Sequence, residues 1–140
     1  MRNKQISTQS RNNDQWNLVA EMLGIKGNSF FGGVERCDFS VFQLAGILER
    51  GFISPRYRFN NSPTVETFFK FGKRAEAYGG TVVYEGYLEP KHRKGARLVI
   101  EGVRVTNFPD SVGLVLHFSQ TFHTADEFTA NHELLRAWYD

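Results

Sequence analysis

The chain contains almost no cysteine: Cys37 is the single one among 140 residues. One thiol cannot form an intramolecular disulfide, and it cannot supply a cysteine-based zinc site. Cys37 precedes a predicted helix, and the dipole at a helix N-terminus lowers the pKa of a thiol placed there. Free cysteine is nevertheless most often buried as a small apolar side chain. We therefore expect Cys37 to be buried and assign it no chemistry.

Long apolar runs are also missing. No stretch approaches the ~18 residues that a membrane-spanning helix needs, and the N-terminal sequence MRNKQISTQSRNNDQ lacks the apolar segment of a signal peptide. We expect a cytoplasmic protein with no membrane partner. The net charge is only +2 and the isoelectric point is about 8.8, which is too weakly basic to identify a nucleic-acid-binding protein by charge alone.

Aromatic side chains, by contrast, are abundant: thirteen Phe, five Tyr and two Trp. Each can bury roughly 150–250 Å², and a chain of this length commonly forms one domain. Residues 1–13 hold hardly any apolar side chains, so we predict a flexible arm there. Residues 14–140 are predicted to form a single globular α+β domain.

Helical segments are predicted where apolar residues recur at a spacing of three or four. Asp38 and Ser62 are suited to cap the second and third of these helices, and a capping box at residues 124–127 begins the fourth. Glycines after the first three helices suit the left-handed conformation that ends many helices. The predicted helices cover residues 15–23, 39–50, 63–78 and 124–140.

Strands are predicted where apolar and polar residues alternate. A short segment containing Pro55 suits the edge of a sheet, because proline cannot donate to a ladder of hydrogen bonds. Three longer segments have short connections, which favours an antiparallel meander. The predicted strands cover residues 53–59, 81–89, 97–106 and 113–122.

The predicted element order is α-α-β-α-β-β-β-α. Such an order favours an α+β fold in which helices pack on one face of a mainly antiparallel sheet of three to four strands. In the order and length of its elements, over about residues 15–122, the chain resembles the cone-shaped domains of the nuclear-transport-factor-2-like superfamily. That resemblance implies a small ligand held between the helices and a curved sheet. Aromatic-rich cavities are a common form of ligand site, and the predicted pocket is lined by Phe30, Phe31, Phe42, Phe68, Tyr84 and Phe118.

The sheet face away from the predicted helices carries a candidate acid–base site. If the first hairpin loop is centred on Arg93, Glu85 lies opposite Glu101, and one register of the second hairpin sets His117 beside Glu101. A shift by two residues places Ser119 there instead. Two crowded carboxylates and an imidazole have the chemistry of a catalytic site. Alternatively, both carboxylates are solvated or are paired with Arg97, Arg104 or an arginine of a partner chain.

The same predicted face carries several valines among its polar residues. Contiguous exposed apolar surface usually marks an interface, so we expect a homodimer or a higher homo-oligomer. The residues predicted to form this self-association surface are Val83, Tyr87, Val99, Val103 and Val115.

A basic hairpin tip at residues 90–97 provides the alternative function. Phosphates are bound by cations on protruding loops, and the candidate nucleic-acid contacts are Lys91, Arg93, Lys94 and Arg97. No metal site is assigned, since Asp126 and Glu127 suit the start of a helix and the HExxH spacing of zinc proteases is absent.

These patterns favour a homo-oligomeric small-molecule-binding protein without a cofactor, and they leave open whether it catalyses a reaction. A nucleic-acid-binding accessory protein and a protein-interaction module are the alternatives.

Overall fold

A computed structural model of the chain describes residues 15–25, 34–89 and 97–140. The predicted flexible arm lies outside these segments. The described elements in chain order are α1 (residues 15–22), β1 (Glu35–Phe39), α2 (Val41–Glu49), α3 (Val65–Ala77), β2 (Thr81–Glu89), β3 (Arg97–Thr106), α4 (Val112–Thr121), β4 (Glu127–Ala130) and β5 (Leu135–Trp138).

The five described strands form one antiparallel sheet in the order β1-β2-β3-β5-β4. α2 packs against β2, α3 against β2 and β3, and α4 against β4. These helices cover one side of the sheet, which we call the helix face. The predicted α+β class is confirmed, with one strand more than the predicted three or four.

Three helices end as the sequence predicts. Gly24, Gly51 and Gly79 have φ angles of 74°, 70° and 90°, which side chains other than glycine rarely adopt. After each glycine, the next amide N–H donates to the carbonyl five residues before it, at 2.8–3.1 Å. This pattern satisfies carbonyl groups that the end of a helix would otherwise leave unpaired.

Two helix starts and one strand differ from the predictions. α2 begins after Ser40, whose side chain accepts from the Gln43 amide, because residues 35–39 form β1 and not the first turn of a helix. α3 is capped by Thr64, and residues 53–59 form a loop that includes a bridge from Arg58 to Thr64. The predicted caps at Asp38 and Ser62 and the predicted strand over residues 53–59 are therefore wrong.

In the C-terminal third, a predicted strand is a helix and a predicted helix is a pair of strands. Residues 113–122, predicted as a strand, lie almost entirely within α4, and residues 124–140, predicted as a helix, contain β4 and β5. Leu114, Phe118 and Phe122 are fully buried, and their spacing of four places them on one side of a helix. The side chain of Asn131 accepts from two backbone amides of the turn between β4 and β5, which is a common use of asparagine in turns.

The core lies between the helix face and the helices. Phe68 is 1% exposed, and its ring contacts those of Tyr84, Phe122 and Tyr139 at centroid distances of 5.4–6.3 Å. The Tyr84 hydroxyl donates to the Phe68 carbonyl at 2.6 Å, so the one polar atom of the buried tyrosine side chain has a hydrogen-bond partner. Gly72 lies against the same hydroxyl, where a Cβ atom would collide with it.

Candidate functional site

The pairing of β2 and β3 contains a bulge at Glu101. Glu85 pairs with Gly102 and Gly86 pairs with Ile100, which leaves Glu101 as an extra residue in β3. Bulges re-aim side chains and are common next to functional sites. The predicted pairing of Glu85 with Glu101 is therefore wrong, because Glu85 lies opposite a glycine.

Two glycines make this bulge possible. A Cβ atom at Gly86 would collide with the Val99 carbonyl oxygen, and one at Gly102 would lie 2.5 Å from the Ala137 carbonyl oxygen. Both obstacles are backbone atoms, which cannot move aside as a flexible side chain can. The local backbone around Glu101 therefore depends on glycine on both strands.

Glu101 is an almost completely buried carboxylate. It is 5% exposed and accepts a hydrogen bond from the Arg36 guanidinium at 2.7 Å. Arg36 belongs to β1, so the ion pair reaches from β3 across β2 to the edge of the sheet. The Arg36 side chain is 70% exposed, which makes the two partners of this pair very different in their access to water.

Side chains of all five strands meet on the side of the sheet away from the helices, which we call the charged face. Glu85 accepts from Arg104 at 2.8 Å and from Arg136 at 3.1 Å. Arg104 also binds Asp38 at 3.0 Å, and Arg136 also binds Glu127 at 2.8 Å. The result is a chain of alternating charges across the sheet. It agrees with the alternative for Glu85, which pairs with Arg104, whereas the arginine bound to Glu101 is Arg36, which the sequence did not indicate.

The protonation of these arginines follows from their partners. The hydrogen bond with Glu127 raises the pKa of Arg136 and outweighs the opposite effect of burial, with Glu85 raising the pKa further. Burial lowers the pKa of Arg104, but its hydrogen bonds with Asp38 and Glu85 outweigh that effect and the pKa is raised. Both guanidiniums therefore stay charged and remain committed to two carboxylates each.

Aromatic residues lie on both sides of Glu101 along the charged face. Tyr87 is paired with Val99, and its ring meets that of Phe59 edge-on at 6.3 Å. Burial raises the pKa of the Tyr87 hydroxyl, so it remains a neutral hydrogen-bonding group. Trp138 is paired with Gly102, and a Cβ atom at Gly102 would lie 3.1 Å from the Trp138 Cδ1 atom.

His117 and Ser119 are not on this face. Both lie on α4, and the His117 ring stacks on Phe71 at a centroid distance of 5.9 Å. The sheet therefore separates them from Glu101. The two predicted registers that place His117 or Ser119 beside Glu101 are wrong, because the segment is a helix and not a strand.

The predicted pocket residues are divided between core and surface. Phe68, Tyr84 and Phe118 are at most 1% exposed and belong to the core, whereas Phe42 is 87% exposed on α2. Phe30 and Phe31 lie outside the described residues. The structure thus brings three of the six side chains together as packed core and leaves Phe42 on the surface.

A groove at α1 and α2, which the sequence did not indicate, lies beside Phe42. It has a volume of about 430 Å³. The Arg50 guanidinium donates to the Met22 sulfur at 3.3 Å along this groove. The lining residues are Met22, Phe42, Gln43, Ala45, Gly46, Glu49 and Arg50.

The predicted self-association surface is also divided. Val83 and Tyr87 lie on the charged face, but Val103 is in the core on the helix face and Val115 is on α4. Val99 is completely buried. The prediction that these five residues share one exposed face is wrong, because the bulge at Glu101 turns Val103 towards the helices and because Val115 belongs to a helix and not to a strand.

The basic hairpin is described only at its end. Arg97 donates to Glu89 at 2.7 Å and to the Tyr57 hydroxyl at 3.3 Å, so this guanidinium is already engaged. Lys91, Arg93 and Lys94 lie outside the described segments. No group of three or more His, Cys, Asp or Glu in the described part of the chain is arranged to hold a metal ion.

Cys37 is half-buried on β1. Burial, followed by the charges of Asp38 and Glu35, raises the pKa of its thiol to about 12. The thiolate is the reactive form of cysteine, so this thiol is unreactive near neutral pH.

The comparisons with known proteins leave the site to be interpreted by its own chemistry. No family model, no curated protein and no solved structure matches the chain. Across the described segments, no helix combines the length and the apolar character that crossing a bilayer requires.

Sequence reasoning found Glu85 and Glu101 but missed most of their neighbours. Arg36 was not placed because β1 was not predicted, and Arg136 and Trp138 were assigned to a helix. The signal that was available is the pair of glycines, Gly86 and Gly102, within two otherwise regular strand patterns, since isolated glycine in a strand marks a bulge or a close backbone approach.

Proposed function

We propose that this chain is a small-molecule-binding protein whose ligand site lies on the charged face and is centred on Glu101. The observation that carries the proposal is a carboxylate that is 5% exposed at a bulge that requires glycine on both strands. The sequence favoured a pocket between sheet and helices, but there Phe68, Tyr84 and Phe118 are part of the packed core. The charged face is the better-supported location.

The energetics of Glu101 favour a functional role over a structural one. Removing a carboxylate from water costs several kcal/mol, and an ion pair recovers that cost only with excellent geometry. Arg36 is 70% exposed and makes one described hydrogen bond to Glu101, so the pair falls short of the geometry that would recover this cost. Local sequence choices that reduce stability are concentrated at functional sites, which supports a binding role for Glu101.

The arrangement supports binding more than proton transfer. Glu85 and Glu101 both accept hydrogen bonds from guanidinium groups at 3.1 Å or less, and His117 lies on the other side of the sheet. A general base must reach the proton that it abstracts. Carboxylates held by arginines in this way are suited to recognise a ligand by charge and hydrogen bonding.

The proposal is tested by an NMR titration of the ¹⁵N-labelled protein with a set of small charged and aromatic compounds. We expect the largest shifts at the amides of Tyr87, Glu101, Gly102 and Trp138, and their loss in Glu101→Gln. Glu66→Gln is the matched control, because Glu66 is an exposed carboxylate on α3 paired only with Lys70 in the described structure. Shifts that are absent, or unchanged in Glu101→Gln, would reject a site at Glu101.

Self-association is a second proposal, supported by α4. This helix contains no charged residue and exposes Val112 and Leu116 by 71% and 57%. Phe128 on β4, which stacks on Phe118 of α4, is 45% exposed. An exposed apolar surface of this kind is typical of an interface, here with a second copy of the chain.

Light scattering coupled to size exclusion tests this assembly. We expect a mass of at least two chains for the wild type and a shift towards one chain for Leu116→Lys. Leu18→Lys, at an exposed leucine of α1, is the control and should leave the mass unchanged. A wild-type monomer at high micromolar concentration would exclude the assembly and would leave the ligand site untouched.

A further inference from the structure

We infer that the ligand of the charged face is an organic cation, an amine or guanidinium attached to an apolar or aromatic body. Arg36 occupies the position of that cation when no ligand is bound. This inference rests on the proposed function and adds the chemical class of the ligand.

The first argument is the asymmetry of the Arg36–Glu101 pair. The carboxylate is fixed, with 6% of its side-chain surface exposed, while the guanidinium partner is 70% exposed. A guanidinium has five N–H donors, and one of them makes the 2.7 Å bond to Glu101. A ligand cation can therefore take over one bond to Glu101 while Arg36 moves into water at little cost.

The second argument is that the neighbouring arginines are poorly placed for an anion. Arg104 binds both Asp38 and Glu85, and Arg136 binds both Glu85 and Glu127. At either guanidinium an anionic ligand would lie next to two carboxylates, whose negative charges repel it. A cationic ligand has to displace only Arg36 from Glu101.

The third argument is the charge of the face. The described charged face holds five carboxylates and four guanidiniums, whereas the whole chain has a net charge of +2. A face that is more negative than the rest of the molecule favours a cation. The counted residues are Asp38, Glu85, Glu89, Glu101 and Glu127 against Arg36, Arg97, Arg104 and Arg136.

The fourth argument is the aromatic pair around the carboxylate. Along β3, Glu101 lies between Val99 and Gly102, which pair with Tyr87 and Trp138 respectively. Tyrosine and tryptophan rings attract cations through their faces, and tryptophan does so best. The absence of a side chain at Gly102, the residue after Glu101, leaves room for the Trp138 indole, so an apolar ligand body has an aromatic surface to contact.

The probes are benzylammonium, ethylguanidinium, benzoate and benzyl alcohol, titrated by NMR. We expect benzylammonium and ethylguanidinium to shift the amide resonances of Tyr87, Glu101 and Trp138. Added NaCl should weaken the binding of both cations. Glu101→Gln should weaken both cations about tenfold or more, the loss typical of a hydrogen bond to a charged group. Arg36→Ala should bind them about 2- to 5-fold tighter, because the loss of an exposed ion-pair competitor is worth that much. Glu66→Gln, an exposed carboxylate on α3 that lies outside the charged face, should leave the affinity unchanged.

Arg36→Ala also provides a second test, in which thermal stability is measured and not an NMR shift. Removing Arg36 leaves Glu101 buried without its guanidinium, so we expect a lower melting temperature that millimolar ethylguanidinium restores. The double variant Arg36→Ala, Glu101→Gln should show no such recovery. Failure of ethylguanidinium to stabilise Arg36→Ala more than the double variant would overturn the inference.

The other outcomes separate the ligand class from the site. Benzoate shifting the same amides, with benzylammonium inactive, overturns the cation class while the small-molecule site stands. Equal affinity for benzyl alcohol and benzylammonium, unchanged in Glu101→Gln, overturns it as well, because the contact is then aromatic only. No shift with any of the four probes rejects the proposed function together with the ligand class.

Discussion

The two faces of β2 differ in how they hold the strand in place. Val82, Tyr84 and Leu88 are at most 4% exposed and pack into the core, whereas Glu85 and Glu89 on the other face bind arginines. Apolar burial is non-directional and depends on area, while the ion pairs depend on particular geometry. Apolar burial on the helix face therefore accounts for most of the stabilisation of β2, while the charged face depends on the geometry of its ion pairs.

Magnitudes support this division. Burial of a large apolar side chain contributes about 1.5–3 kcal/mol, while exposed ion pairs contribute about 0–1 kcal/mol. Three arginines of the charged face, Arg97, Arg104 and Arg136, are about one-third exposed, at 31–34% of their side-chain surface, and Arg36 is 70% exposed. Three predictions test this contrast between the two faces, beginning with the largest expected effect.

The largest expected effect is in the core. Phe68→Ala should lower the free energy of unfolding by about 3–5 kcal/mol, because it removes the ring that contacts Tyr84, Phe122 and Tyr139 and leaves a cavity. Arg136→Ala on the charged face should cost about 1 kcal/mol or less. Urea unfolding followed by circular dichroism measures both, and equal costs would break the contrast between the two faces.

The second effect concerns the bulge. Gly102→Ala should destabilise the protein by about 1–3 kcal/mol, as overpacking does, because the new Cβ atom would lie 2.5 Å from the Ala137 carbonyl oxygen. Gly46→Ala in α2 is the matched control. Its Cβ atom would meet only the end of the Met22 side chain, at 2.9 Å, and alanine is preferred to glycine in helices by about 1 kcal/mol. A neutral Gly102→Ala would show that the position of Glu101 does not need this glycine.

The sequence predicts β2 and β3 at their observed bounds because both have a clear period of two. The same rule failed at α4, where Leu114, Leu116 and Phe118 alternate like a strand. Leu114 and Phe118 also fit a helix, which the packing against Phe71 selects. Only tertiary contacts decide between the two periods in so short an apolar segment.

β4 and β5 could not be predicted for a related reason. Each has four residues, and residues 124–127, which extend into the start of β4, match a helix-capping box. What makes the segment β-structure is the pairing of β5 with β3, which no local pattern records. Because β5 was not predicted, Trp138 and Arg136 were missing from the predicted site.

Within the site, Glu101 is predicted on the correct face but with the wrong partner. Alternation along β3 assigns its face correctly only up to the bulge, where an extra residue reverses the pattern. Arg36 was not predicted, because the register of β1 against β2 depends on the whole sheet.

The smallest expected effect is a pH dependence at His117. Burial lowers the pKa of this imidazole from 6.5, and the charge of Arg74 lowers it further. As the pH falls below about 6.5, the unfolded chain takes up a proton at this residue that the folded protein resists, so the free energy of unfolding decreases. Urea unfolding between about pH 7 and pH 5 should show a smaller decrease in His117→Gln than in the wild type. His132→Gln is the control, because His132 is exposed near the turn between β4 and β5. If acidification instead stabilised the wild type through His117, the folded protein would hold a charged imidazole against Phe71, and the separation between an apolar helix face and a charged face would fail.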